Sequence, residues 1–190
     1  MPRTGSAPLT AFLVVSLDGY FVGRDGAFDW PIVDDEFLEF SERQLRAAGR
    51  LAFGRVTLEG MAAHWRSSEA AATPSIASRM NDLPKFVVSR TLSQADWPPS
   101  TIVRDPAFLR DAAAFPEGGE TLILGSPQLV GNLLEAGLLD ELRLMVNPIL
   151  LGGGGQLSGA LSRPTRLRLE RVTPFRSGNV LVSYQPADRR

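Results

Sequence analysis

Three short segments carry residue types that hold phosphate. Gly54-Arg55-Val56-Thr57, Ser89-Arg90-Thr91 and Gly125-Ser126-Pro127-Gln128 each follow an apolar run and offer small or hydroxyl residues, the first two with a guanidinium. A helix start with free backbone N–H groups is a preformed anion site. An arginine fork matches phosphate oxygens in two parallel bonds. Arg55, Arg90 and a glycine-lined helix start on one sheet edge would suit a dinucleotide bearing an extra phosphate. Each segment also has a plainer reading. Gly54 permits close packing, Thr57 and Ser126 cap helices, and Arg55 and Arg90 sit on solvated loops. The run Gly152-Gly153-Gly154-Gly155 fits neither G-x-G-x-x-G nor the P-loop pattern. It reads as a connection where backbones approach closely.

Other chemistry-bearing residues are few. Asp18 follows the first apolar run and precedes Gly19. It either orients a substrate or a water, or forms a turn. Asp34, Asp35 and Glu36 stand at the start of a helical pattern, where the dipole favours acids. Trp30 and Trp65 offer flat apolar faces that stack on a heterocycle or fill a core. His64 is the only histidine and cysteine is absent. Thiolate nucleophiles, disulfides, Cys-based zinc or iron–sulfur sites and two-His metal motifs are thereby excluded, and no metal site is expected. A formal net charge of -1 argues against a general nucleic-acid or membrane-surface polycation. No apolar run approaches the ~20 residues of a membrane span. The start Met1-Pro2-Arg3-Thr4-Gly5-Ser6 lacks a signal-peptide pattern, so a cytoplasmic protein is expected.

The elements that must position these residues follow from periodicity. Leu9 to Leu17 reads as a buried strand ending at Asp18-Gly19. Phe37, Leu38, Phe40, Leu45 and Ala48 recur at helical spacing, with Gly49 as the expected stop. Short apolar runs follow at Leu51–Arg55, Lys85–Arg90, Thr101–Arg104 and Thr121–Leu124. Between them lie helix signals: Thr57 through about Trp65, Thr73-Pro74, Asp105-Pro106, and the stretch from Pro127 to Ala136. Strands alternating with helices predict an α/β sheet, largely parallel, whose ligands bind at the carboxyl ends of the strands. Glu141–Val146, Thr165–Val172 and Val180–Tyr184, the last after Ser177-Gly178-Asn179, are expected as antiparallel strands closing the sheet. A chain of 190 residues suits one domain, 1–190, with its core at about 9–186.

Several of these segments together resemble the dihydrofolate reductase-like superfamily. The closer likeness is to the C-terminal reductase domain of riboflavin-biosynthesis deaminase-reductases and their stand-alone relatives. The likeness runs from about Thr10 to Tyr184. It is carried by Val15-Ser16-Leu17-Asp18-Gly19-Tyr20, Gly54-Arg55-Val56-Thr57-Leu58-Glu59-Gly60, Val88-Ser89-Arg90-Thr91-Leu92 and Ile123-Leu124-Gly125-Ser126. Gly137-Leu138-Leu139-Asp140-Glu141-Leu142 and Asn147-Pro148-Ile149-Leu150-Leu151-Gly152 complete it. No deaminase half is present, because the cysteines of its zinc site are missing.

The resemblance implies a three-layer dihydrofolate reductase-like fold and NADPH-dependent hydride transfer to a pterin- or pyrimidine-like heterocycle. It places Gly54, Arg55 and Thr57 near the cofactor phosphates and Ser89 and Arg90 at the adenosine 2′-phosphate. Gly125, Ser126, Gln128 and Leu129 fall on the pyrophosphate loop, where many relatives carry a second glycine and this chain carries Ser126. It makes Asp35 or Glu36 the counterpart of the pterin-serving carboxylate, which an apolar cleft would keep neutral and able to give a proton. It brings Asp18 near the nicotinamide and implies a homodimer. The alternative is a non-catalytic nucleotide- or small-molecule-binding protein on the same scaffold.

Overall fold

The computed structural model describes residues 8–111 and 119–187. In chain order the strands and α-helices are β1 (Leu9–Ser16), β2 (Tyr20–Val22), α1 (Asp35–Ala47), β3 (Ala48–Gly54), α2 (Arg55–Trp65), α3 (Pro74–Asp82), β4 (Lys85–Val88), β5 (Ser100–Val103), β6 (Glu120–Leu124), α4 (Pro127–Glu135), β7 (Glu141–Asn147), β8 (Gly155–Gln156), β9 (Leu167–Pro174) and β10 (Val180–Pro186). They form two compact units, one around Glu39–Ser126, the other from Thr10–Leu38 and the chain from Pro127 onward.

The first unit holds the parallel strands in the order β5-β4-β3-β6. Leu51, Ala52, Phe53, Val87, Leu122 and Ile123 are fully buried on them. Near-continuous apolar runs are what a sheet covered on both faces demands. Helix α3 begins with Pro74 at its first turn, where the missing N–H costs nothing. Lys85, the only lysine of the chain, is 1% exposed at the start of β4. Its Nζ donates to the carbonyls of Asn81 at 2.7 Å and Leu83 at 2.9 Å, and lies 4.7 Å from the centre of the Trp97 ring. The ammonium thus satisfies carbonyls at the end of α3 that have no partner within the helix.

In the second unit β1 pairs parallel with β7, and β7-β10-β9 run antiparallel. Leu13, Leu142 and Met145 are buried on these strands, and Val130 and Leu133 on α4. Phe37 of α1 tilts against Phe12 of β1 at 6.3 Å between ring centres. The helix start is capped by Asp34, whose Oδ1 accepts the Phe37 N–H at 2.9 Å. The glycine run brings backbones together: an added Cβ on Gly154 would overlap the Val22 carbonyl of β2. The whole is mixed α/β, mainly parallel with antiparallel C-terminal strands, as expected.

Four local expectations are corrected. Gly49 does not stop α1; the helix passes directly into β3, and Gly49 is a strand residue against which Gly119 packs. Thr57 does not cap α2, because the helix begins two residues earlier at Arg55, with Gly54 in the cap position and no side-chain cap. Ser126 is no cap either: its hydroxyl turns back toward β3 and β6. The segment Glu141–Val146 is antiparallel only to β10; toward β1 it is parallel, since the chain returns to it through α4.

Candidate functional site

The strand registers of the first unit bring four carboxyl ends to one edge. Gly54 stands opposite Val88, Val88 opposite Val103, and Ala52 opposite Ile123. Beyond these ends lie Arg55, Ser89-Arg90, Arg104 and Gly125-Ser126. The Gly54 N–H donates to Ser126 Oγ at 2.9 Å, and that hydroxyl faces the Leu124 carbonyl at 3.4 Å. Ser126 is 4% exposed and holds φ of 57°, the left-handed region that side chains disfavour. Gly125 precedes it at φ of 60°, and a Cβ there would come within 3.1 Å of the Thr57 methyl. Gly54, Thr57, Gly125 and Ser126 therefore form one cluster. Its geometry needs the bare backbone of Gly125.

The basic residues differ in availability. Arg55 opens α2 and binds both oxygens of Glu59 at 3.1 Å, with both side chains about half exposed. Such a surface pair contributes little and yields readily to a competing anion. The Ser89 N–H donates to Val103 O at 3.1 Å, and Ser89 Oγ accepts the Leu92 N–H at 3.1 Å. Arg90 is exposed and has no ion-pair partner among the described residues. Arg104, not among the residues expected from sequence, donates from Nη1 to the Ser89 carbonyl at 2.6 Å. A second guanidinium is thus fixed beside Ser89. Its signal was its place after an apolar run, equivalent to that of Arg90. In the second unit, at the start of α4, Gln128 is exposed and the Leu129 side chain is buried in the core, which leaves Leu129 only its backbone to offer.

Asp18 in the second unit is a tether. Its carboxylate accepts the Ser16 hydroxyl at 2.6 Å and the N–H groups of Leu151 at 3.1 Å and Gly152 at 2.8 Å. The Ser16 hydroxyl above all, aided by these amides, holds its pKa below the ordinary carboxylate value. Asp34 is likewise held low, first by the Phe37 N–H and then by the Ser177 hydroxyl. Glu36 accepts the Arg176 N–H at 2.6 Å and its Nε at 3.0 Å. Asp35 is exposed at the first position of α1. None of these carboxylates occupies an apolar cleft.

Trp30 is partly buried, edge-on to Phe28 at 5.6 Å, with its indole N–H buried and unbonded. Trp65 ends α2, about 15 Å along the axis from Arg55. Its carbonyl takes a hydrogen bond from Asn81 at 3.0 Å. The fold does not bring Trp65 to the strand-end cluster. Asn147 and Asn179, both wholly buried, grip Ile32 through its N–H at 2.8 Å and its carbonyl at 2.9 Å. Sequence reading missed both as site residues, since a lone asparagine has no distinguishing pattern. Among the described residues no group of three or more His, Asp or Glu could hold a metal. No helix there is long and apolar enough to cross a membrane.

The sequence model of the RibD C-terminal domain matches residues 7–181. The chain belongs to this family. It is 26% identical to the uncharacterized protein YyaP of Bacillus subtilis (strain 168) over 177 residues, covering 90% of this chain and 91% of that one. It is similar in fold to the diaminohydroxyphosphoribosylaminopyrimidine deaminase/5-amino-6-(5-phosphoribosylamino)uracil reductase of Thermotoga maritima. That match has a TM-score of 0.67 at 16% identity and covers 96% of this chain but 57% of the longer enzyme. Dihydrofolate reductase from Enterococcus faecalis, complexed with NADP(H), matches with a TM-score of 0.62 at 16% identity, over 95% of this chain and 97% of that one. The fold is therefore dihydrofolate reductase-like, and these two structural neighbours are oxidoreductases.

Proposed function

We propose that this RibD C-terminal-like chain is an NADPH-dependent reductase, a single catalytic domain that passes hydride to a small pterin- or pyrimidine-like heterocycle. The observation that carries the reading is the strand edge where Gly54, Val88 and Val103 stand in register, with Ser126 bonded to Gly54 and with Ser89-Arg90 and Arg104 directly after the strand ends. Its donor set fits a dinucleotide with an extra phosphate: one guanidinium with no ion-pair partner among the described residues, one held on the Ser89 carbonyl, and a left-handed glycine that lets an anion approach the backbone. When bound, the nicotinamide supplies the hydride, and the protein's work is placement and exclusion of water. Ser89 and Arg90, with Arg104, hold the 2′-phosphate. Gly54, Thr57, Gly125 and Ser126 hold the pyrophosphate, and Arg55 leaves Glu59 to join them. Trp30 contacts the acceptor, Asp18 fixes the turn after β1 as a permanent anion, and Asp35 or water returns the proton.

A second reading, a non-catalytic binding protein, is favoured by one observation: the carboxylates of Asp18, Asp34 and Glu36 are all engaged as acceptors. Titration with NADPH and NADH, followed by nicotinamide fluorescence, tests the first reading. NADPH is expected to bind more tightly, and Arg90→Ala to weaken NADPH about tenfold while sparing NADH, as loss of one charge-assisted contact predicts. Arg55→Ala should cost less, because Arg55 must first abandon Glu59. No binding of either nucleotide would remove the reading. Binding without turnover of dihydrofolate or 5-amino-6-(5-phosphoribosylamino)uracil would favour the second.

The same reading includes a homodimer. Strand β9 is the outer strand of its unit, and a bulge opposite Ser183/Tyr184 sets Leu169 and Val172 on one face, opposite Tyr184 and Val182. Both are about half exposed. A second copy would cover this apolar edge.

A further inference from the structure

The loop that leads into α1 and the first turn of that helix are moored to the turn between β9 and β10 at Ile32 and Glu36. Ile32 gives its carbonyl to Asn179 Nδ2 at 2.9 Å. The Ser177 hydroxyl, after the Phe37 N–H, helps hold the Asp34 carboxyl below the usual carboxylate range. Glu36 accepts the Arg176 N–H at 2.6 Å and the Arg176 Nε at 3.0 Å. From the opposite side, Asn147 at the end of β7 accepts the Ile32 N–H at 2.8 Å. The turn itself is closed by Phe175 N–H to Asn179 O at 2.8 Å and Gly178 N–H to Phe175 O at 3.0 Å.

Both asparagines are 0% exposed. Burying an amide side chain is costly unless its groups are bonded. Here two buried side chains hold both polar backbone groups of one loop residue. A residue held from both sides cannot swing, so Trp30, two positions earlier, is carried on a fixed support. The same contacts use up Asp34 and Glu36. Both Glu36 oxygens already accept N–H groups from one arginine, and Asp34 caps the helix start through the Phe37 N–H.

We propose that the Phe175–Asn179 turn is a positioning element: through Asn179, Ser177 and Arg176 it fixes the Trp30 loop for the hydride acceptor, with Asp34 and Glu36 as anchors rather than proton donors. This rests on the reductase reading above.

The test compares Arg176→Ala, Glu36→Gln and Asn179→Ala in the full chain. Amide hydrogen exchange over residues 28–36 is measured alongside the kinetics with NADPH and 5-amino-6-(5-phosphoribosylamino)uracil or dihydrofolate. Arg176 is largely exposed, so its variant keeps the fold even if Asn179→Ala does not. Exchange across the loop should quicken about tenfold in each variant. KM for the acceptor should rise about fivefold with kcat and the pH profile little changed, the signature of lost positioning. The NADPH dissociation constant should stay within about twofold of wild type. Glu36→Gln and Arg176→Ala should behave alike. Loss of kcat in Glu36→Gln with a silent Arg176→Ala would make Glu36 a proton donor and overturn the proposal. Unchanged exchange and KM in all variants would overturn it too. A wild type that turns over neither acceptor, with exchange as expected, would instead defeat the reductase reading and with it the acceptor half of the proposal.

Discussion

Lys85 offers a measurement in which one residue sets the sign of a pH dependence. It is the chain's only lysine, 1% exposed, and removal from water pulls its pKa from 10.5 to about 8, with Asp82 pulling weakly the other way. Below pH 8 the side chain is charged in both folded and unfolded states, and the folded state bears the desolvation cost in full. Between about 8 and 10.5 the folded protein has released the proton while the unfolded chain still holds it. The unfolded state then binds more protons, so stability rises with pH across that window. The gap between the two values limits the gain to roughly 3 kcal/mol, and linkage from pH 7 to pH 9.5 gives about 2 kcal/mol. Urea unfolding of wild type and Lys85→Met at both pH values isolates this term, because every other titrating group is common to the two proteins. The absolute difference at one pH is no test, since methionine removes the buried charge but orphans the carbonyls of Asn81 and Leu83. The wild type should gain about 2 kcal/mol on the variant as pH rises. Parallel pH dependences, or a wild type that falls behind, would refute the desolvation argument.

Two further outcomes are expected. Ser126→Ala keeps the left-handed φ of 57° and loses the bond to Gly54, so thermal melting should show a loss of about 1–2 kcal/mol. Ser126→Gly loses the same bond but relieves the backbone, and should cost measurably less. Light scattering during gel filtration should report twice the chain mass, and charging the β9 edge with Val172→Lys should return a single chain.

Much of the chain was legible from local spacing. Every apolar run was too short for a helix and punctuated by Gly, Pro, Asp or Ser, so the strands and the α/β class followed from periodicity and from turn and cap chemistry. The segments after Leu124 and Val88 were legible as strand ends for the same reason: a small or hydroxyl residue right after a buried strand stands at a strand end wherever that strand lies. The errors were those local pattern invites. Gly49 was read as a stop because glycine ends helices, whereas close packing of Gly119 keeps it in a strand. Thr57 and Ser126 allow two readings in sequence, helix cap or phosphate contact, and only the cap reading fails, because α2 starts at Arg55 and the Ser126 hydroxyl turns to Gly54.

What the tertiary structure alone decided is which polar groups meet. The Ser126 hydroxyl reaches the Gly54 amide across 72 residues of chain. Ile32 is held by asparagines 115 and 147 residues away, and a buried amide has no periodicity by which to be found. The carboxylates at 34 and 36 show the same limit. Their composition suits a general acid, and only their partners, Phe37, Ser177 and Arg176, show that they are spent as acceptors. Residue type sets what a side chain can do. What it does depends on the desolvation and hydrogen bonds of its surroundings, and those surroundings are assembled from distant parts of the chain.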